Sequence, residues 1–166
     1  MSGAFRIDFE HGDLVLMYKT LDRVGKSPQK ALNKGTSKAA TIVKRAVKGA
    51  APEKTGTLKR SIVTKTERSR SKGKKVRETT FRGGEESNAL LQRPIKKPGV
   101  LGGSSQKAYY PASQEYGFLA KAPDGGVQYI PGKHYMRRGA ETASGPAKKA
   151  MIETMTKELD KLWQGT

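Results

Sequence analysis

Side chains able to do covalent or acid–base chemistry are few and scattered in this sequence. A nucleophile–base–orienter set needs a histidine or carboxylate aimed at a serine, threonine or cysteine. Cysteine is absent, and the two histidines, His11 and His134, stand far apart in the chain. His134 sits among Lys133, Tyr135, Arg137 and Arg138 with no acidic cluster beside it. Glu85-Glu86 opens a glycine-rich stretch, a poor setting in which to raise a carboxylate's pKa by burial. Two separated histidines leave a zinc site almost without ligands. Gly83-Gly84 and Gly102-Gly103 lack the Walker spacing that cradles phosphates. The expectation is a protein without catalytic, metal or cofactor chemistry.

What the chain offers instead is charge. Its formal net charge is +18, from 33 Lys and Arg against 15 Asp and Glu. An excess of that size points to a polyanion, to an acidic protein partner or to both, and it says nothing about fold. Between Lys59 and Arg77 lie nine basic residues and the single acid Glu67. Lys59, Arg60, Arg68, Arg70, Lys72, Lys74, Lys75 and Arg77 are the expected contacts to DNA or an acidic partner. Zinc-finger spacing and an RNP-like aromatic strand are both missing, so DNA contact would be to phosphates and steeply salt-dependent. Tyr109 and Tyr110 could stack on bases, but core or interface packing is the plainer role for them.

Composition bounds the rest. At 166 residues the chain is expected to be one domain. Its hydrophobic content of 34% implies a modest core, or one completed by a partner. The lack of cysteine excludes disulfides and suits a reducing compartment. No run approaches the roughly 20 apolar residues that span a bilayer, and the N-terminus lacks an apolar signal core. A soluble chain made in the cytoplasm is expected.

The elements that would position these residues follow from pattern. Phe5, Ile7 and Phe9 alternate as in a short strand, and Leu14 to Val24 has helical spacing behind an Asp13 cap. Ser27-Pro28 reads as a helix start, with serine capping and proline in the first turn. From there Ala31, Leu32, Ala39, Ile42, Val43, Ala46, Val47 and Ala50 form one apolar stripe, with lysines and Arg45 opposite. Pro52 stops that helix, and Thr55-Gly56 turns the chain, with Gly56 free to take a positive φ. Ser61–Arg68 and Val76–Arg82 then read as an antiparallel hairpin with a basic tip.

Beyond the hairpin, residues 83–107 show neither period and read as a long glycine-rich loop. It is read either as a loose excursion or as an arm whose Leu90, Leu91, Ile95, Val100 and Leu101 find a pocket on a neighbouring subunit. Ala108–Gly117 suggests an edge strand or a strand and turn, and Tyr129–Gly132 a further extended piece. Arg137–Trp163 reads as helix, with Ala140, Ala143, Ala147, Met151, Met155, Leu159, Leu162 and Trp163 on one face. Gly145-Pro146 is expected to kink it or restart it, with Ser144 as the cap. Glu115 is read either as local packing or as a fixed acid facing Arg137 or Arg138 across a subunit boundary.

Three separated blocks resemble the tail-completion (head–tail joining) family of long-tailed phages. The first is the Ala-rich helix running into Ala51-Pro52-Glu53-Lys54-Thr55-Gly56-Thr57-Leu58-Lys59-Arg60-Ser61-Ile62. The second is Tyr109-Tyr110-Pro111-Ala112 followed by Glu115-Tyr116-Gly117. The third, Pro131 to Ala140, carries Tyr135-Met136-Arg137, with Tyr135 where the family has phenylalanine.

The resemblance implies an α+β fold, with long helices packed on a small antiparallel sheet. It also implies self-assembly into a ring, expected to be a hexamer, in the virion neck. There the ring would join the tail tube or tail terminator to the capsid-side connector, with DNA in its lumen and no membrane. On this reading Thr55, Gly56, Leu58 and Ser61 set the turn, while Leu90, Leu91, Ile95, Glu115, Tyr116, Tyr135 and Arg137 form the subunit interface. The rival expectation is a nonspecific nucleic-acid-binding protein acting through phosphate contacts.

Overall fold

The computed structural model describes residue 15 and residues 28–68, 73–94 and 107–164. The expected strand Phe5–Phe9 lies outside them, as do Ser27, Arg70, Lys72, Ile95, Val100, Leu101 and the side chains of Leu162 and Trp163. So does the expected Leu14–Val24 helix apart from Val15, which is helical and exposed, off that helix's apolar stripe.

Two long helices make the core. Helix α1, Gln29–Ala50, starts one residue later than the Ser-Pro signal suggests, with the Pro28 carbonyl accepting the Leu32 N–H at 3.0 Å. It ends where Pro52 forces Ala51 into an extended conformation (ψ 133°). The last helix, α5, spans Tyr135–Gln164 and runs antiparallel to α1, since Gly35 lies against Met151 and Met155 while Val47 lies against Gly139. Leu32, Ala39, Val43 and Val47 meet Met136, Ala140, Ala143, Ala147, Met151 and Met155 in one buried cluster that Leu58 and Ile62 extend. Small residues let the two backbones approach closely. A Cβ on Gly139 would stand 2.6 Å from the Val47 Cα.

Helix α5 runs on through Pro146, so of the two expectations the restart does not occur, and Ser144 caps nothing there because it lies inside the helix. Pro146 and Thr142 are both on the exposed side. The carbonyl that loses its helical donor therefore stays within reach of water, which lowers the usual penalty.

Between the long helices the chain forms short elements. Gly56 takes φ +70°, as its place in the turn requires. Helix α2 follows at Thr57–Ser61, a single turn that the pattern did not reveal. Ser61 closes it by donating its hydroxyl to the Thr57 carbonyl at 2.8 Å, so the strand begins only at Ile62. Strands β1 (Ile62–Thr66) and β2 (Arg77–Phe81) pair antiparallel, from Ile62 opposite Phe81 to Thr66 opposite Arg77.

The glycine-rich stretch is more ordered than expected over its first part. Helix α3, Glu85–Leu91, starts after Gly84 (φ +108°) with two glutamates in its first turn, where the helix dipole favours them. Strand β3 (Gln92–Pro94) then pairs with β4 (Lys107–Tyr109), so residues 95–106 connect the two strands of a ribbon. An element of seven residues is too short to show a helical period, which is why the sequence reading missed it.

Of the expected strand over Ala108–Gly117, Ala108 and Tyr109 belong to β4, whereas Tyr110–Tyr116 is helix α4. Pro111 occupies a first-turn position, where a missing N–H costs nothing. Strands β5 (Gly117–Lys121) and β6 (Val127–Pro131) form a last hairpin before α5. The fold is thus α+β, with the antiparallel pairing among the described residues divided among three two-stranded ribbons.

Candidate functional site

The junction between α4 and α5 rests on one buried acid. Glu115, 6% exposed, accepts the backbone N–H of Met136 at 2.8 Å and that of Arg137 at 3.2 Å on its carboxylate. Its own carbonyl accepts the His134 N–H at 3.1 Å, and the Gln114 carbonyl accepts the Lys133 N–H at 2.8 Å. The first N–H groups of a helix have no partner within the helix, and a carboxylate answers both their hydrogen-bonding need and the positive end of the dipole. Glu115 is therefore the N-terminal cap of α5, supplied from a different helix.

That clamp forms the base of the β5–β6 hairpin. Gly117 and Gly132 face each other where the hairpin leaves and rejoins the body. A Cβ on Gly132 would lie 2.2 Å from the Glu115 carbonyl oxygen, and one on Gly117 would lie 2.4 Å from that of Ile130. Only glycine permits this approach. The Tyr129 hydroxyl donates to the Tyr116 carbonyl and closes the same corner.

Above this base the hairpin shows apolar surface. Leu119 and Tyr129 are cross-strand partners, as are Lys121 and Val127, so these four side chains share one face. Leu119 is 47%, Val127 50% and Tyr129 59% exposed. Phe118 on the other face and Tyr116 at the base are exposed as well. Five of the nine exposed large apolar residues among the described ones fall between Tyr116 and Tyr129. Beyond its own pairing, the hairpin's main contact is with α4.

The structure sorts the expected interface residues. Tyr135 and Leu91 are fully enclosed within their own chain, which leaves them no surface to offer a neighbour. The Tyr135 hydroxyl has no hydrogen-bond partner among the described residues. Burial, with the Glu115 charge nearby, raises its pKa far above the ordinary value near 10.0. Glu115 is likewise committed within the chain, so the expected pairing with an arginine across a boundary gives way to the capping role. Arg137 pairs with Glu141 at 2.9 Å on the outer face of α5. Leu90 and Tyr116 remain exposed.

The expected basic contacts divide in the same way. Lys59 pairs with Glu53, and Arg60 donates to the Thr55 carbonyl at 3.2 Å, so both brace the turn after α1. Arg77 reaches the Thr66 hydroxyl at 3.1 Å across the β1–β2 pair. Arg68 and Lys74 are exposed, and Lys75 is half-buried.

Beside that turn an open cleft of about 400 Å³ is lined by Pro52, Thr55, Leu58, Leu91, Arg93 and Tyr110. The Arg93 guanidinium lies 5.7 Å from the Tyr110 ring centroid. Among the described residues no three His, Asp or Glu side chains gather as metal ligands, and no helix is long and apolar enough to cross a membrane. Comparison of the chain with protein-family models, curated proteins and solved structures finds no match in any of the three.

Proposed function

We propose that this chain is an architectural subunit of a phage neck, a tail-completion protein whose copies form a ring joining the tail tube to the capsid-side connector. The observation that carries the reading is the β5–β6 hairpin. An isolated two-stranded ribbon is marginal in water, and it leaves open edges that natural proteins normally cover. This one is pinned at its base by Glu115 and glycine contacts, yet presents Leu119, Val127 and Tyr129 to solvent. Burying those side chains against a neighbour recovers on the order of 3–6 kcal/mol before the costs of association.

A second copy is the natural occupant in this reading, because the order of the three sequence blocks resembles a family of ring-forming subunits. In the ring, β5–β6 of one copy lies on the body of the next, and the chain's basic surface faces DNA or acidic surfaces of tube and connector. The work is mechanical, with no catalytic step.

Labelled electron micrographs of purified particles test the assignment. Label concentrated at the junction of head and tail is the expected result. Label spread over capsids or tails, or absent from particles, overturns it.

A further inference from the structure

Helix α1 carries six cations and no acid over 22 residues, whereas α5 carries six cations and four acids. Lys30, Lys34, Lys38 and Arg45 are exposed, with Lys48 half-buried beyond them. Their spacing of three, four or seven residues keeps them on one stripe, with Thr41 between. At 1.5 Å per residue the stripe runs about 27 Å from Lys30 to Lys48, most of a duplex turn of about 34 Å. Lys34 is bound to Glu158, while Lys30, Lys38, Arg45 and Lys48 have no acidic partner among the described residues. Like charges four apart destabilise a helix, so this arrangement opposes the stability of α1.

The β1–β2 hairpin lies against α1, and its far end is tied to the helix start. The Gly73 N–H donates to the Gln29 side-chain oxygen at 3.2 Å. That bond sets Lys74 and Lys75 beside the N-terminal end of the stripe, a juxtaposition the sequence does not show.

We propose that the outer stripe of α1, extended by the hairpin's distal lysines, is a rail for the phosphates of duplex DNA. Lysine, arginine and threonine alone make up its exposed length. A protein partner needs apolar or aromatic anchors at the centre of the contact, and protein interfaces are poor in lysine. A single strand would call for aromatic platforms, which this stripe lacks. Phosphates require only placed positive charge, and contact with them is sequence-independent. The proposal goes beyond the assembly reading and stands without it.

Fluorescence anisotropy of the full chain with a labelled duplex of about 20 base pairs, from about 50 to about 200 mM NaCl, tests the rail. The variant Lys30→Gln/Lys38→Gln/Arg45→Gln is compared with Lys148→Gln/Lys149→Gln/Lys157→Gln, which removes the same charge from exposed positions of α5. Circular dichroism checks that both remain folded. The stripe variant should lose on the order of 100-fold in affinity at about 0.1 M salt, and its log–log salt slope should fall by about 2.7, or about 0.9 per contact. The α5 variant should lose clearly less. Equal losses in both variants, or an unchanged slope in the first, overturn the rail. So does a stripe variant that loses binding to polyglutamate but keeps its affinity for DNA, which would assign the face to an acidic protein.

Discussion

The Glu115 carboxylate accepts the Met136 backbone N–H at 2.8 Å, so a residue at the end of one helix closes the start of another. Truncating it leaves two N–H groups at the start of α5 without acceptors, at a cost of about 2–3 kcal/mol. Glu115→Ala should lower the urea midpoint accordingly and speed proteolysis between residues 117 and 131, whose base the carboxylate holds. Glu115→Gln keeps one acceptor oxygen and should fall between the two. A loss below about 0.5 kcal/mol in the alanine variant would contradict the capping role.

Tyr135 offers the opposite sign. Its hydroxyl is buried without a partner among the described residues, so Tyr135→Phe should be neutral or stabilising by up to about 2 kcal/mol. Its raised pKa means that the folded state holds the proton more tightly than the unfolded state does. Stability linked to this group is present below its ordinary value near 10.0 and is lost as pH rises above it. Thermal melts in alkaline buffer should therefore show the phenylalanine variant losing less stability than the parent.

The Lys34–Glu158 pair ties α1 to α5 near one end of the helix pair. The hydrogen bond from Lys34 is the main cause that lowers the Glu158 pKa below its ordinary value near 4.5. A lowered carboxylate pKa gives stability that is present above that value and lost as pH falls through the folded one. Glu158→Gln should flatten the acid limb of a melting profile between about pH 6 and about pH 3, with the near-neutral value little changed, because exposed pairs contribute little. An identical acid limb in parent and variant would show that the pair is not linked to folding.

Gly139 lies where α5 crosses Val47 at backbone distance. A methyl there meets main chain and cannot be relieved by a rotamer change. Gly139→Ala should cost about 1–3 kcal/mol despite the better helix propensity of alanine. Gly49→Ala, in open space on the exposed side of α1, should stabilise by up to about 1 kcal/mol. Equal effects at the two positions, measured by chemical denaturation, would contradict the close crossing.

The long elements were legible because their patterns are long. The Ala31–Val47 stripe, the Pro52 stop, the positive φ of Gly56 and the α5 face from Ala140 to Met155 all follow from spacing and backbone chemistry. Short helices were not legible, because α2, α3 and α4 hold too few residues to display a period. Tyr110-Pro111 could have signalled the start of α4, since proline in a first turn is as natural as proline at a sheet edge. The role of Glu115 was hidden for another reason. Its partners are backbone N–H groups about twenty residues away, and no side-chain pattern marks a cap supplied from another element. The basic face of α1 was in view in the sequence, but the bond from Gly73 to Gln29 that brings the hairpin's distal end to the helix start was not.

Removing the gene and imaging the lysate tests the central claim most directly. If this chain completes a ring at the capsid–tail junction, micrographs should show DNA-filled heads beside free tails. The parent chain should restore joined particles, whereas a folded Leu119→Asp/Tyr129→Asp variant, charged on the hairpin's apolar face, should not. Joined, infectious particles in the absence of the chain would contradict the account.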